Sequence, residues 1–133
     1  MSRRDSREKA FMLLYQMEIQ KSDDDAQIAT FIEDREVSSQ EVDYMTQLVR
    51  GVRSHVAELD GRFSPFLKRW TKERLPKVDL TILRLAVYEM FFVEEVPTNV
   101  AISEAVLLCK KYSTEESRAY INAVLGRLSG EGE

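Results

Sequence analysis

The segment from Val78 to Val93 constrains the fold of this chain most strongly, because its side chains are apolar around nearly the whole helical circumference. The apolar positions are Ile82, Leu83, Leu85, Ala86, Val87, Met90, Phe91 and Phe92. A helix that is apolar on every side is stable only when other elements cover it. We therefore predict that this segment is the buried central helix of a helical domain.

The sequence before this segment is typical of amphipathic helices. Apolar residues at helical spacing predict a first helix over residues 4–21 and a short second helix over residues 26–34. Ser38 and Glu41 have the spacing of a capping box, which predicts the beginning of a long helix through Leu59. We expect a break at Gly61 and then a helix carrying Phe63, Phe66, Leu67 and Trp70 that ends at Leu75-Pro76.

Two further helices are predicted after the turn at Val96-Pro97, and the last one begins with Ser113 and Glu116 as its capping pair. No segment alternates apolar and polar residues as a strand would. The predicted fold is therefore all-α, with about seven helices in two packed three-helix groups and no β-sheet. A length of 133 residues suits one domain spanning residues 1–133.

The composition excludes several classes of protein. Apolar residues make up 44% and charged residues 32% of the chain, as in an ordinary globular domain. No apolar run is long enough for a membrane span, and no signal peptide is evident, so we expect a cytoplasmic protein that does not enter the membrane. With one cysteine, Cys109, and one histidine, His55, the sequence predicts no disulfide, no metal site and no cofactor.

Basic residues are clustered although the net charge is −4. The first helix carries a stripe beside its core face, made of Arg4, Arg7, Phe11, Tyr15 and Glu18. Arginine neutralises phosphate and aromatic rings stack on unpaired bases, so the stripe suits single-stranded RNA. Alternatively, the two aromatic residues flank the core and the arginines are solvated.

Two other segments could contribute to such a surface. Arg118 and Asn122 are four residues apart on the outward face of the last helix. A basic patch in the middle of the chain includes Arg69 and Lys72. On sequence alone, an ordinary solvated face accounts for both.

Four motifs, in this order and spacing, resemble one family. Arg-x-x-Arg-x-x-Ala-x-x-x-Leu-Tyr spans residues 4–15, and Asp-x-x-Ile-Leu-Arg-Leu-Ala-x-Tyr-Glu spans residues 79–89. Residues 96–105 and 116–125 provide the C-terminal pair, which includes Tyr-Ile-Asn-Ala-Val-Leu. With these motifs the chain resembles the NusB family of transcription antitermination factors.

The resemblance implies a protein that catalyses no reaction. It implies a factor that binds a boxA-type single-stranded RNA together with the small-subunit ribosomal protein that acts as NusE. Other Nus factors and RNA polymerase would complete the assembly during ribosomal RNA synthesis. The implied RNA-binding residues are Arg3, Arg4, Arg7, Phe11, Arg69, Lys72, Arg118 and Asn122. The implied protein-partner residues are Tyr15, Asp79, Arg84, Glu104 and Leu107.

This interpretation requires that Arg4 and Arg118, from distant parts of the chain, meet in one cationic groove. One alternative is a protein-interaction scaffold without significant RNA binding of its own. Another is an enzyme that uses Glu89 or Glu104 as a base, although Glu89 equally fits a buried, hydrogen-bonded residue of the central helix. Some ribosomal RNA methyltransferases carry a fused domain of this type, but the length of the chain argues against that class.

Overall fold

The computed structural model describes residues 3–68 and 70–131 and is all-helical over these ranges, with no strand among them. The helices are α1 (Arg3–Ile19), α2 (Asp24–Asp34), α3 (Ser39–Ser54), α4 (Val56–Phe63), α5 (Lys77–Phe92), α6 (Thr98–Tyr112) and α7 (Glu115–Glu131). Two short 3₁₀ turns, Ser64–Phe66 and Lys72–Arg74, lie between α4 and α5. The all-α prediction is confirmed.

Helix α5 is the centre of the fold, as its all-round apolar pattern predicts. It packs against α1, α3, α4, α6 and α7. Ile82, Leu83 and Val87 are fully buried. Met90 and Phe92, at its C-terminal end, are only partly covered and pack against the edge of the core.

The helices form two groups, as predicted, and α5 belongs to the second group. In the first group α1 packs against α2 and α3, and Arg53 of α3 also pairs with Asp24 of α2 at 3.0 Å. In the second group α5, α6 and α7 pack against one another, and α4 contacts α3, α5 and α7. Among the described residues, no helix combines the length and apolar character needed to cross a membrane.

The predicted helix starts differ in accuracy. The Ser38 hydroxyl oxygen accepts a hydrogen bond from the Glu41 backbone N–H at 3.3 Å, which confirms the predicted N-cap of α3. In α7, however, the Thr114 hydroxyl accepts from the Ser117 N–H at 3.0 Å. The cap therefore lies one residue later than predicted, and the Ser113 hydroxyl instead donates to a buried carboxylate of α5.

The predicted helix through Phe63 and Trp70 is wrong. The break after α3 lies at His55 rather than Gly61, and α4 continues through Gly61 to Phe63. Pro65 then lacks the N–H that a continuing α-helix would donate to the carbonyl four residues earlier, and the chain tightens into a 3₁₀ turn. As a result Trp70 lies in an irregular segment and is 43% exposed.

Candidate nucleic-acid and protein interfaces

Two exposed arginines stand at the beginning of α1 beside a cleft of about 390 Å³, here called the N-terminal cleft. Its lining residues are Arg3, Arg4, Arg7, Glu95, Val96, Pro97, Val100 and Glu104. The Arg3 guanidinium lies 4.5 Å from the centroid of the Tyr44 ring. The Arg4 side chain is 66% exposed, and its Nη2 atom is 2.8 Å from Oε2 of Glu104. These two cations are thus held at the cleft while they remain accessible to solvent.

Arg7 has a different environment, which corrects its predicted place among the exposed arginines. Its side chain is only 5% exposed. Its Nε donates to Oε1 of Glu89 at 2.7 Å, and its Nη1 lies 3.2 Å from Oε1 of Glu104. The Tyr44 hydroxyl donates to the other Glu89 oxygen at 2.6 Å. The guanidinium is therefore used inside the protein and presents little surface to a ligand.

The charges of this buried group are mutually stabilised. Burial on its own would lower the pKa of Arg7, but the hydrogen bond and negative charge of Glu89 outweigh it, and the pKa is raised. Burial and the hydrogen bond to Glu89 raise the pKa of Tyr44 well above its ordinary value. Glu89 is thus a buried, hydrogen-bonded member of the central helix, as one alternative in the sequence analysis expected.

The predicted base-stacking residue of α1, Phe11, belongs to the core instead. It is 2% exposed and packs on Tyr112 with ring centroids 4.8 Å apart. Tyr15 stacks on the other side of Phe11 at 6.3 Å and is half-buried. For Phe11 the alternative interpretation, a residue beside the core, is confirmed.

The residues predicted on α7 lie in a separate region. Arg118 pairs with Glu115 on the first turn of α7, and Asn122 is exposed one turn later. Among the described residues, no hydrogen bond or ion pair joins either side chain to the N-terminal cleft. Helices α1 and α7 each pack on α5. Arg118 does not line the N-terminal cleft, and the single groove expected between Arg4 and Arg118 stays a prediction.

A larger cavity, of about 690 Å³, lies between the segment before α5 and the face of α7. We call it the Trp70 pocket; its lining residues are Lys68, Trp70, Arg74, Leu75, Pro76, Asp79, Thr114, Glu116, Ser117, Ala119, Tyr120, Ala123 and Arg127. Of the predicted residues nearby, Arg69 lies outside the described residues, and Lys72 pairs with Asp60 at 3.2 Å. This pocket was not predicted from the sequence, because Trp70 was expected to lie in a helix. Pro65 indicated that no α-helix could continue through this segment.

Two of the predicted protein-partner residues are internal, which corrects their assignment. Asp79 is 2% exposed and accepts hydrogen bonds from the hydroxyls of Ser113 at 2.6 Å and Ser117 at 2.5 Å. Arg84 donates to both oxygens of Asp60 at 2.9 Å. A further Arg84 nitrogen donates to Glu18 of α1 at 2.8 Å. Both side chains hold helices together and cannot make a partner contact in this arrangement.

The remaining partner residues lie along the line where α1 and α6 meet, here called the α1–α6 seam. Glu104 is 7% exposed because both Arg4 and Arg7 cover it, whereas Leu107, three residues on, is 40% exposed. Lys111 and Tyr112 both donate to Glu8 of α1. Burial opposes ionisation of Glu8, but these two hydrogen bonds outweigh it and lower its pKa. The seam thus presents one apolar side chain between two sets of ion pairs.

The sequence and the helical fold are matched by known proteins. The model of the NusB family matches residues 4–129. The chain is 45% identical to the transcription antitermination protein NusB of Acetivibrio thermocellus, over 96% of this chain and 88% of that protein. The chain belongs to the NusB family. The resemblance of the sequence motifs to the NusB family is therefore confirmed. NusB antitermination factors are regulatory proteins rather than enzymes.

Solved structures support the same conclusion for the fold. NusB of T. maritima superposes with a TM-score of 0.87 at 31% identity, covering 98% of this chain and 92% of that one. A structure of the antitermination factors NusB and NusE in complex with double-stranded RNA gives a TM-score of 0.87 at 24% identity, covering 97% of this chain and 96% of that one. At 24% identity, the similarity to the NusB–NusE complex shows only that the fold is shared.

Proposed function

We propose that this NusB-family chain binds a boxA-type single-stranded RNA together with the ribosomal protein NusE. The resulting complex acts, with other Nus factors, on RNA polymerase during ribosomal RNA synthesis. The observation that carries the RNA part of the proposal is the pair of exposed arginines, Arg3 and Arg4, at the N-terminal cleft. The solved complex of a NusB with NusE and RNA, on the same fold, supports the choice of partners.

Phosphate would reach these two arginines without unfolding the buried network. Arg4 is largely exposed, so its pair with Glu104 contributes little and is exchangeable for a phosphate contact. Arg7 keeps its ion pair with Glu89, and its second ion pair, with Glu104, positions the Glu104 carboxylate. Arg7 therefore acts as a positioning residue, and the direct contacts belong to Arg3 and Arg4.

The protein partner is proposed to bind on the α1–α6 seam. Leu107 is the apolar centre of that surface, and Tyr15 of α1 stacks on Phe11, which packs on Tyr112 of α6. The charged pairs on either side would orient a basic ribosomal protein through their carboxylates. Asp79 and Arg84 have no direct part in this surface because both are committed to internal ion pairs and hydrogen bonds.

The salt dependence of RNA binding tests the RNA part. With Arg3 and Arg4 each contacting one phosphate, these two arginines contribute about −1.4 to the slope of log K against log salt concentration for single-stranded RNA. Changing Arg4 to glutamine should reduce the magnitude of the slope by about 0.7. Lys21→Gln, at an exposed position two residues after the end of α1, is the matched control and should leave the slope unchanged.

The same titration separates the alternative function, a scaffold without RNA binding of its own. That alternative is favoured by the engagement of Arg4 with Glu104 and the burial of Arg7. It predicts a slope near zero and no loss of RNA affinity for Arg4→Gln when the ribosomal protein is present.

For the protein surface, Leu107→Asp should abolish capture of the ribosomal protein, whereas Ile19→Asp, at another exposed apolar residue, should not.

A further inference from the structure

The Trp70 pocket has two unlike walls. One wall is the irregular segment before α5, where Trp70 stands 43% exposed with Leu75 and Pro76 beside it. The other wall is the face of α7, where Ala119 and Ala123 carry almost no side chain. An indole on one wall and two alanine methyl groups on the other leave space between them for a flat group. The volume of about 690 Å³ lies within the range of about 300–1,000 Å³ typical of pockets for small ligands.

Charge is divided between the rim and the floor of the pocket. Three cations, Lys68, Arg74 and Arg127, and one carboxylate, Glu116, are exposed at the rim, and none of the three cations forms an ion pair with a described side chain. The floor holds the buried carboxylate of Asp79, whose oxygens accept from two serine hydroxyls. An anion is therefore attracted to the rim and repelled from the floor.

This division fits one nucleotide unit of a single strand better than a free anion. A base is flat, uncharged and able to stack on an indole, while the phosphates on either side of it are anionic. With the base stacked on Trp70, the phosphates on either side of it would face the three rim cations. A duplex offers no such unit, because its bases are stacked and paired within the helix.

We propose that the Trp70 pocket receives one unpaired base of the bound RNA, stacked on Trp70, with the flanking phosphates held by Lys68, Arg74 and Arg127. The inference rests on the proposed function and extends it to a second contact region, separate from the N-terminal cleft. None of the three cations or Trp70 belongs to the residues that the sequence motifs assign to RNA.

The chain offers a direct probe of this contact, since Trp70 is its one tryptophan. The experiment titrates the full chain with an unlabelled 12-nucleotide single-stranded RNA while tryptophan emission is recorded. A second titration follows the anisotropy of the same RNA carrying a terminal dye. The expected result is quenching of the emission along the same binding curve as the anisotropy. An abasic oligomer with the same number of phosphates should bind more weakly and leave the emission unchanged.

Variants separate the pocket from the cleft. Trp70→Ala should weaken RNA binding by about 5- to 150-fold, the range found for the loss of one base–aromatic stack. Ile19→Ala removes an exposed apolar side chain elsewhere, 54% exposed against 43% for Trp70, and should have no effect. Arg4→Gln should weaken binding but keep the quenching at saturation. Circular dichroism must show unchanged helicity for each variant.

Each other outcome overturns a specific statement. RNA that binds by anisotropy, without quenching and with full affinity for Trp70→Ala, overturns the pocket and leaves the proposed function standing. Quenching by the abasic oligomer overturns base stacking. Quenching by the ribosomal protein alone, and not by RNA, reassigns the pocket to a protein. Absence of RNA binding in every titration, with and without the ribosomal protein, overturns the proposed function and the pocket together.

Discussion

Replacing Arg7 by methionine should destabilise the fold far more than the same change at Arg4, three residues earlier on the same helix. Both arginines contact Glu104, but the Arg7 side chain is 5% exposed and that of Arg4 is 66% exposed. The Arg7→Met variant leaves the carboxylate of Glu89 buried with only the Tyr44 hydroxyl as its partner.

The magnitude follows from this burial. Removing one member of a buried ion pair costs about 3–5 kcal/mol, because the other charge remains desolvated without compensation. An exposed pair contributes at most about 1 kcal/mol, which bounds the loss for Arg4→Met. Since small domains unfold with a free energy of about 5–15 kcal/mol, Arg7→Met consumes a large part of the total stability.

The assay is urea denaturation followed by circular dichroism, which reports on all seven helices. With a slope of about 2 kcal/mol per molar urea, a loss of about 4 kcal/mol lowers the midpoint by about 2 M. A triple variant, Arg7→Met with Glu89→Met and Tyr44→Phe, removes the buried charges and the orphaned hydroxyl together and should recover most of the stability. A free energy of unfolding for Arg7→Met within about 1 kcal/mol of the unmodified protein would refute the reasoning.

Changes at four other residues or in their conditions have defined outcomes. Gly51→Ala places a Cβ 2.1 Å from Cζ of Tyr88 and should destabilise the protein by about 1–3 kcal/mol in thermal melts. Gly126→Ala, with open space around the new methyl, should be neutral or stabilise by up to about 1 kcal/mol. Burial raises the pKa of the Cys109 thiol to about 12, so a thiol reagent at pH 8 should react only as fast as the protein opens. Because the unfolded thiol ionises near pH 9, its contribution to stability should fall as the pH rises from 9 towards 12. Thr114→Ala, which removes the N-cap of α7, should cost about 1 kcal/mol in the same melts.

The helices themselves were predictable because their signals are local. The apolar circumference of α5 required burial, and the Ser38–Glu41 spacing located the beginning of α3 within one turn. The segment after α4 was mispredicted because apolar spacing was given more weight than Pro65, whose missing N–H prevents the helix from continuing.

The charged interior was only partly predictable. A helical pattern assigns arginine and glutamate to the surface unless a partner is known, and the partners here are distant in the sequence. Arg7 and Glu89 are 82 positions apart, and Arg4 and Glu104 are 100 apart. No local signal therefore indicated that Arg7 is internal while Arg4 is exposed. Glu89 was the exception, because an acid within the apolar stretch from Leu85 to Val93 needs a buried partner.

The distance between Arg4 and Glu104 also has a consequence for the making of the protein. Ribosomes add about 5–20 residues per second, so the 100 positions between the two take about 5–20 s to be synthesised. During that interval the arginines of the first helix emerge without the carboxylates of α5 and α6 that later hold them. The cleft is thus completed only after α6 has been synthesised, and a nascent chain that ends before α6 cannot display it.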